Sequence, residues 1–346
     1  MSKESFFREH PGAFYLDSAE PQALGEYLSS RNRLATDEYV VTADKAGEGN
    51  MNCVVRVTTN QKRFILKQSR PWVERYPQIA APRDRALAEG RFYAAIAETA
   101  RVASMMPHVK WTDDNACLLA LEDLGESADF FPLYRGEMDL SDETLRALLG
   151  YLSALHAIPL ANAARAGLAN RAMRALNHAH IFDLPLRADN GFPLESFTPG
   201  LEAVAAALQR DRNYVAAVRD LGRRYLADGP ALLHGDFFPG SFLRVSTGLK
   251  VIDPEFGFAG EAEFDVGVLV AHLHLAAQPA AALNRAWSLY RPVGAFSIAL
   301  ARQFAGVEIM RRLIGIAQLP LVADLGEKRR LLDLSRRLVL HPDEKL

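Results

Sequence analysis

The sequence predicts an α+β protein of two lobes, a small N-terminal lobe with a five-stranded antiparallel sheet and one helix, and a larger, mainly helical C-terminal lobe. Three observations predict it. The chain has 346 residues, more than the roughly 100 to 200 of an ordinary domain. Residues 39–68 have the texture of strands, rich in Val, Ile, Thr and Phe. Beyond Gly125 apolar residues recur mostly at helical spacing. The division is placed after Glu122, giving a first lobe of residues 1–122 and a second of residues 123–346.

Each element follows from local signals. Asp17, Ser18, Glu20 and Pro21 announce a helix that runs through Leu24 and Leu28 toward Arg31. YVVTAD, MNCVVRVTT and RFILKQ, separated by the turn-forming AGEGN and NQK, predict a three-stranded meander. Arg70 to Arg83 reads as a proline-punctuated loop, and Asp84 to Thr99 as a helix. HVKW and ACLLALE supply two more strands. In the second lobe Ser141 caps a helix with acidic residues in its first turn, which complement the helix dipole. Further helices are expected over Leu201–Leu226, Asp265–Gln278, Ser297–Ala317 and Glu327–Leu340. Only Ala231–Asp253 interrupts them, with the strand-like pieces ALLH, FLRV and KVID.

Composition excludes several classes of function. Hydrophobic residues make up 49% and charged residues 24%, as in ordinary globular chains. Forty Lys+Arg against 42 Asp+Glu give a formal charge of −2, which offers no general attraction for nucleic acid or an anionic bilayer. The N-terminus lacks the apolar core of a signal peptide. The stretch Val266–Leu275 is interrupted by His272 and His274 and is too short for a bilayer span. Cys53 and Cys117 form neither a disulfide framework nor a zinc signature. A cytoplasmic location is expected. At the protein level the partner expected is at most a second copy of the chain, as a homodimer.

Chemistry concentrates in HGDFFPGS (His234–Ser241) followed by IDPE (Ile252–Glu255). A short hairpin between them, turning around Ser246–Gly248, should return the chain to its start and bring Asp236 and Asp253 into one cleft. Phosphoryl transfer needs that pairing. One carboxylate orients the attacking hydroxyl and accepts its proton, and another holds the magnesium that bridges the phosphates. Asp265, in FDVG, is read as a helix N-cap that could secure the backbone amides of the catalytic loop.

The first lobe offers counterparts. Gly47, Gly49 and Asn50 lie in a strand-to-strand turn whose glycines let backbone approach phosphates. Lys67 sits in the apolar strand FILK, where an unpaired charge is costly, and Glu89 on the next helix is the expected partner. Backbone groups from Glu122 to Leu124 are placed to meet an adenine edge. The bland alternatives are an ordinary hairpin turn and a solvated lysine. His156, His272 and His274 are read as satisfied core histidines.

These motifs together resemble the aminoglycoside phosphotransferase and choline kinase family, which has a protein-kinase-like fold, and within it they are most similar to those of the methylthioribose kinases. GEGNMN resembles the Gly-rich loop, KQSRPWV the lysine strand and following loop, and LEDL the hinge. HGDFFPGS is similar to the catalytic loop, with Ser241 where relatives usually carry Asn. IDPEF matches an Asp-x-Glu metal motif. EIMRRLIG resembles the segment whose paired arginines face the sugar, although adjacent arginines on a helix often cover a solvated face. The likeness runs from about Tyr39 to Gly315. It implies ATP and Mg2+ as cofactors, Asp236 as catalytic residue, and Asp253, Glu255 or Ser241 on the metal. It also implies Gly47, Gly49, Asn50, Lys67, Glu89, Glu122 and Leu124 around the nucleotide, and Arg311 and Arg312 with Asp236 at a sugar-like acceptor. From Ala301 onward there are 9 Lys+Arg against 6 Asp+Glu, a poor wall for a polycationic aminoglycoside. Two departures stand out. FFP replaces a Leu-His-Thr type sequence, so Phe237 and Phe238 are expected to re-line the acceptor pocket, and Arg70–Arg83 does not reproduce the family's lid.

Overall fold

The structure, a computed structural model, describes residues 2–47 and 51–344. The chain divides into two compact units, Met1–Glu98 with Met106–Glu126, and Thr99–Met105 with Ser127–Leu346.

The first unit is built on the expected sheet. Strands β1 (Val40–Lys45), β2 (Cys53–Thr59) and β3 (Arg63–Gln68) form the meander. The stretch expected as a loop folds instead into a small hairpin, β4 (Trp72–Val73) and β5 (Tyr76–Ala80). Strands β6 (Val109–Asp113) and β7 (Leu118–Glu122) complete the sheet in the order β1-β2-β3-β7-β6, antiparallel throughout. Side chains alternate across a strand. Phe64 and Leu66 of β3 therefore join a core with Leu16, Leu24 and Leu28 from the N-terminal segment, while Lys67 lies on the opposite face. The helix Pro21–Ser30 supplies part of that core. Gln68, fully buried, fastens the segment in place: its amide donates to Phe14 O and Ala116 O and accepts from Leu16 N at 2.8 Å. Arg85, at the start of the helix Arg85–Ile96, staples the β4–β5 hairpin by donating to the carbonyls of Arg70, Trp72, Pro82 and Met51. A proline-rich segment reads as irregular from local signals; four carbonyl contacts to one buried guanidinium give it a fixed shape.

The second unit is mainly helical. Its helices include Asp142–His156, capped by Ser141 as expected, Glu263–Leu275, Ile298–Ile314 and Leu325–Leu340. The single helix expected over Leu201–Leu226 is two, Leu201–Arg210 and Arg212–Leu226. Asp211 adopts an extended conformation between them and its carboxylate accepts from Asn213 N and Tyr214 N, capping the second helix. Glu263–Leu275 packs on Ile298–Ile314, which in turn packs on Leu325–Leu340. The first pair approaches so closely that a Cβ at Gly267 would lie 2.5 Å from Ala301 O.

Short strands in this unit carry the chemistry-bearing loops. Strand β8 (Ser127–Asp129) pairs with β10 (Phe242–Val245), which pairs with β11 (Gly248–Val251). Strand β9 (Ala231–Leu233) pairs with β12 (Phe258–Gly260). Among the described residues no helix is long and apolar enough to cross a membrane.

Candidate active site

The hairpin β10–β11 does what its spacing predicts. Phe242 lies opposite Val251, and beyond them Ile252 N donates to Ser241 O at 2.9 Å, so the loop before β10 and the segment after β11 run side by side. The buried His234 ring bonds Ile252 O through Nε2 at 3.0 Å. A carbonyl only accepts, so Nε2 carries the proton. Burial lowers the His234 pKa, against the pull of Asp265, Asp236 and Asp253, which places both site carboxylates within electrostatic reach of this one ring.

The loop itself is held from behind. Asp265 is not an N-cap: it lies inside the helix Glu263–Leu275, whose cap residue is Ala262. Its carboxylate nevertheless accepts from His234 N at 2.6 Å and Gly235 N at 3.0 Å, and meets His156 Nε2 at 3.2 Å. The His156 ring also meets Tyr290 OH, so this histidine is a satisfied core residue that braces the loop. Gly235 has φ +85°, and a Cβ there would lie 2.2 Å from Phe256 O. No other residue fits that backbone without a shift. Ser241, also buried, donates its hydroxyl to Asp236 O at 2.9 Å. The hydroxyl thus shapes the loop that carries Asp236.

Asp236 emerges from this frame partly exposed and meets the paired arginines. Arg311 Nη2 and Arg312 Nη2 donate to the same oxygen, Oδ1, at 2.9 and 3.0 Å. Both arginines are buried, which excludes the reading of a solvated helix face. Behind them lies Glu308, 1% exposed, which accepts from Arg311 Nε through Oε2 at 2.6 Å and from Arg312 Nε through Oε1 at 2.8 Å. His272 Nε2 lies 2.9 Å from Glu308 Oε1, and His272 Nδ1 lies 2.6 Å from Tyr134 OH. Burial alone would raise the Glu308 carboxyl, but the two guanidiniums and the His272 hydrogen bond hold it well below the usual carboxylate range. Burial takes His272 down to about 4, with Glu308 opposing and Arg312 assisting. The arginine helix was legible in the sequence, and Glu308 stands three and four positions before the pair, a spacing that signals contact on a helix. Tyr134 and His272 lie 138 positions apart and left no local signal.

The two phenylalanines separate. Phe237 is fully buried, stacked on Tyr151 with centroids 5.6 Å apart, and belongs to the core. Phe238 is half-buried, with the Arg312 guanidinium 4.5 Å from its ring and the His272 ring 5.3 Å away. Only Phe238 borders the acidic and basic cluster, which corrects the expectation for Phe237.

Asp253 follows β11 with φ +61°, a left-handed conformation that Asp tolerates better than most residues. It is half-buried, whereas Glu255, on the short turn Pro254–Phe256, is buried, and its carbonyl accepts from Asn170 Nδ2 at 2.9 Å. Among the described residues no cluster of three or more His, Cys, Asp or Glu stands ready to hold a metal alone.

In the first unit Lys67 Nζ pairs with both Glu89 oxygens, at 2.9 and 2.7 Å, with both side chains buried. The expected pair is therefore formed. Gly47 has φ +75° and open space where a Cβ would be, as a close backbone approach needs; Gly49 and Asn50 lie outside the described residues. At the end of β7, Glu122 Oε2 accepts from His108 N, and half-buried Leu124 follows. The turn there is fixed by Asp123, which pairs with Arg56 and accepts from Gly125 N. No local sequence signal marks Asp123 for this role, because its partner Arg56 lies 67 positions away.

Comparison with known proteins agrees with this chemistry. The profile of the phosphotransferase enzyme family matches residues 42–296. The methylthioribose kinase of Exiguobacterium sibiricum is 30% identical over 334 residues, covering 83% of this chain and 82% of that enzyme. That of Cronobacter sakazakii is 30% identical over 268 residues, covering 72% of this chain and 64% of the other. Among solved structures, the choline kinase LicA from Streptococcus pneumoniae aligns with TM-score 0.51 at 13% identity, covering 93% of this chain and 99% of that one. A spectinomycin phosphotransferase in complex with ADP and its antibiotic aligns with TM-score 0.52 at 12% identity, covering 92% and 97%. Those two likenesses carry the fold. The profile match over most of the length, the relatives and the carboxylate, lysine and arginine sites together lead to one conclusion: the chain belongs to the phosphotransferase enzyme family and is a small-molecule kinase.

Proposed function

We propose that this kinase moves the γ-phosphoryl group of ATP to a hydroxyl of a small sugar-like acceptor of the methylthioribose type. The observation that carries the reading is the partly exposed Asp236 carboxylate flanked by two buried guanidiniums. That arrangement suits a neutral or electron-rich polyol. It offers little to a cationic acceptor such as choline or an aminoglycoside, because the two guanidiniums already balance Asp236 and Glu308 and leave no net negative charge to attract one.

Asp236 orients the acceptor hydroxyl and takes its proton as that oxygen attacks the γ-phosphorus in line. Arg311 and Arg312 line the acceptor side. In the first lobe, taken as residues 1–122, Lys67, held by Glu89, and the backbone at Gly47, Gly49 and Asn50 hold the phosphates, while the connector from Glu122 to Leu124 meets the adenine. Asp253, with Glu255 or Ser241, would hold Mg2+, which would supply positive charge to offset that of the phosphates. The donor set fits that ion: magnesium usually takes one or two carboxylates and completes its shell with water and phosphate oxygens, so a full protein cage is not needed.

An ADP-coupled screen of methylthioribose, simple pentoses, choline and an aminoglycoside tests the reading. ADP formation with the thiosugar or a pentose is expected. Turnover of choline or the aminoglycoside instead would overturn the acceptor class, and Mg2+-dependent ATP binding without ADP from any acceptor would replace the kinase by a nucleotide-binding regulator.

A further inference from the structure

Glu308 lies on a helix that is buried on nearly every side, where an apolar residue of the same size would pack without desolvating a charge. A buried carboxylate in such a place is weak evidence for stability, and replacing buried ion clusters by apolar groups is often neutral. Its position points to function. Each arginine uses its Nε on Glu308 and its Nη2 on Asp236, so both rigid, planar guanidiniums bridge the same two carboxylates. Two positive and two negative groups balance. Since the ionised Glu308 only accepts, His272 Nε2 carries the proton toward it and His272 Nδ1 accepts from Tyr134 OH. Every hydrogen bond in the chain Tyr134, His272, Glu308 therefore points toward the carboxylate that anchors the arginines. The Phe238 ring lies against both Arg312 and His272. On Asp236, Oδ1 takes both arginine bonds, and no hydrogen bond reaches Oδ2 from the described residues.

We infer that Glu308, tethered by His272 and Tyr134, is a positioning residue that fixes the orientation of the Asp236 carboxylate through Arg311 and Arg312, holding Oδ1 and presenting Oδ2 to the acceptor hydroxyl. This inference rests on the kinase reading above. In the step it serves, the acceptor O–H proton passes to Oδ2, the acceptor oxygen bonds the γ-phosphorus, and the bond from that phosphorus to the bridging oxygen breaks to leave ADP. The relay residues touch neither substrate; they set the aim of the group that does.

Steady-state kinetics of Glu308→Gln, Tyr134→Phe and the double variant test it, with two different acceptors that wild type turns over. Glu308→Gln should lower kcat by about 10²-fold, the scale of a misplacement near 1 Å. The loss should be the same for both acceptors, with KM for nucleotide and acceptor held within about twofold, because an interaction made only in the transition state lowers kcat and kcat/KM together. Tyr134→Phe should cost less, and the double variant no more than Glu308→Gln, since both act through the same arginines. Unchanged kcat in a folded Glu308→Gln, or a loss confined to acceptor KM, overturns the inference. Should Glu308→Gln fail to fold, Tyr134→Phe, which removes one oxygen atom, decides by the same criterion. Wild type without ADP formation for any acceptor would instead remove the kinase reading itself, so the two failures are distinct.

Discussion

Gly235 shows how much of the site depends on single residues. Its backbone is left-handed, its missing Cβ leaves room for Phe256 O, and its N–H is one of two on Asp265. Gly235→Ala should cost at least about 1–3 kcal/mol from strain alone, read as a lower urea midpoint, and should depress turnover by shifting Asp236 one residue on. A variant as stable and active as wild type would contradict the tight backbone contact. Residues of this kind were legible in the sequence because the signal is local: His234, Gly235, Asp236 and the Asp253–Pro254 pair stand in a short stretch of turn chemistry. The roles of Asp123, Gln68 and Ser241 were not. Each depends on a partner supplied by the fold, such as the Asp236 carbonyl that takes the Ser241 hydroxyl.

Among elements, the helix Glu263–Leu275 joins site and stability. Burial takes both His272 and His274 down to about 4 from an ordinary value of 6.5. Above pH 6.5 each is neutral folded and unfolded. As pH falls from 6.5 toward 4 the unfolded chain binds protons that the folded chain refuses, so stability is lost across that window, by on the order of 3 kcal/mol for the fully buried His272. Urea midpoints measured from pH 7 to 4.5 should fall steadily, and His274→Gln should flatten part of the fall. A flat profile would contradict the burial of these rings as neutral groups. Elements were read from sequence where periodicity and caps agreed, as at Ser141. The structure departs from the local pattern where a side chain from elsewhere imposes the shape: the capping carboxylate of Asp211 splits one expected helix in two, and Arg85 turns an expected loop into a hairpin.

On the scale of the whole molecule, Lys67, proposed to hold phosphates, and Asp236, proposed as the catalytic carboxylate, belong to different compact units. A ligand that binds only the folded state stabilises it by mass action, by about 2.7 kcal/mol at a hundredfold excess over Kd. Mg2+ with a non-hydrolysable ATP analogue should therefore raise the Tm of wild type, and Lys67→Met should lose most of that rise. Equal shifts in both would contradict the role of Lys67. The two-lobe α+β class was legible because strand and helix textures segregate along the chain.

The central claim is that Asp236 is the carboxylate that receives the acceptor proton. Its most direct test is the turnover number of Asp236→Asn beside wild type with a productive acceptor, with the Tm shift on nucleotide binding measured in parallel. The account predicts a fall of about 10² to 10⁴ in kcat with the nucleotide shift retained. Wild-type turnover in that variant would contradict it.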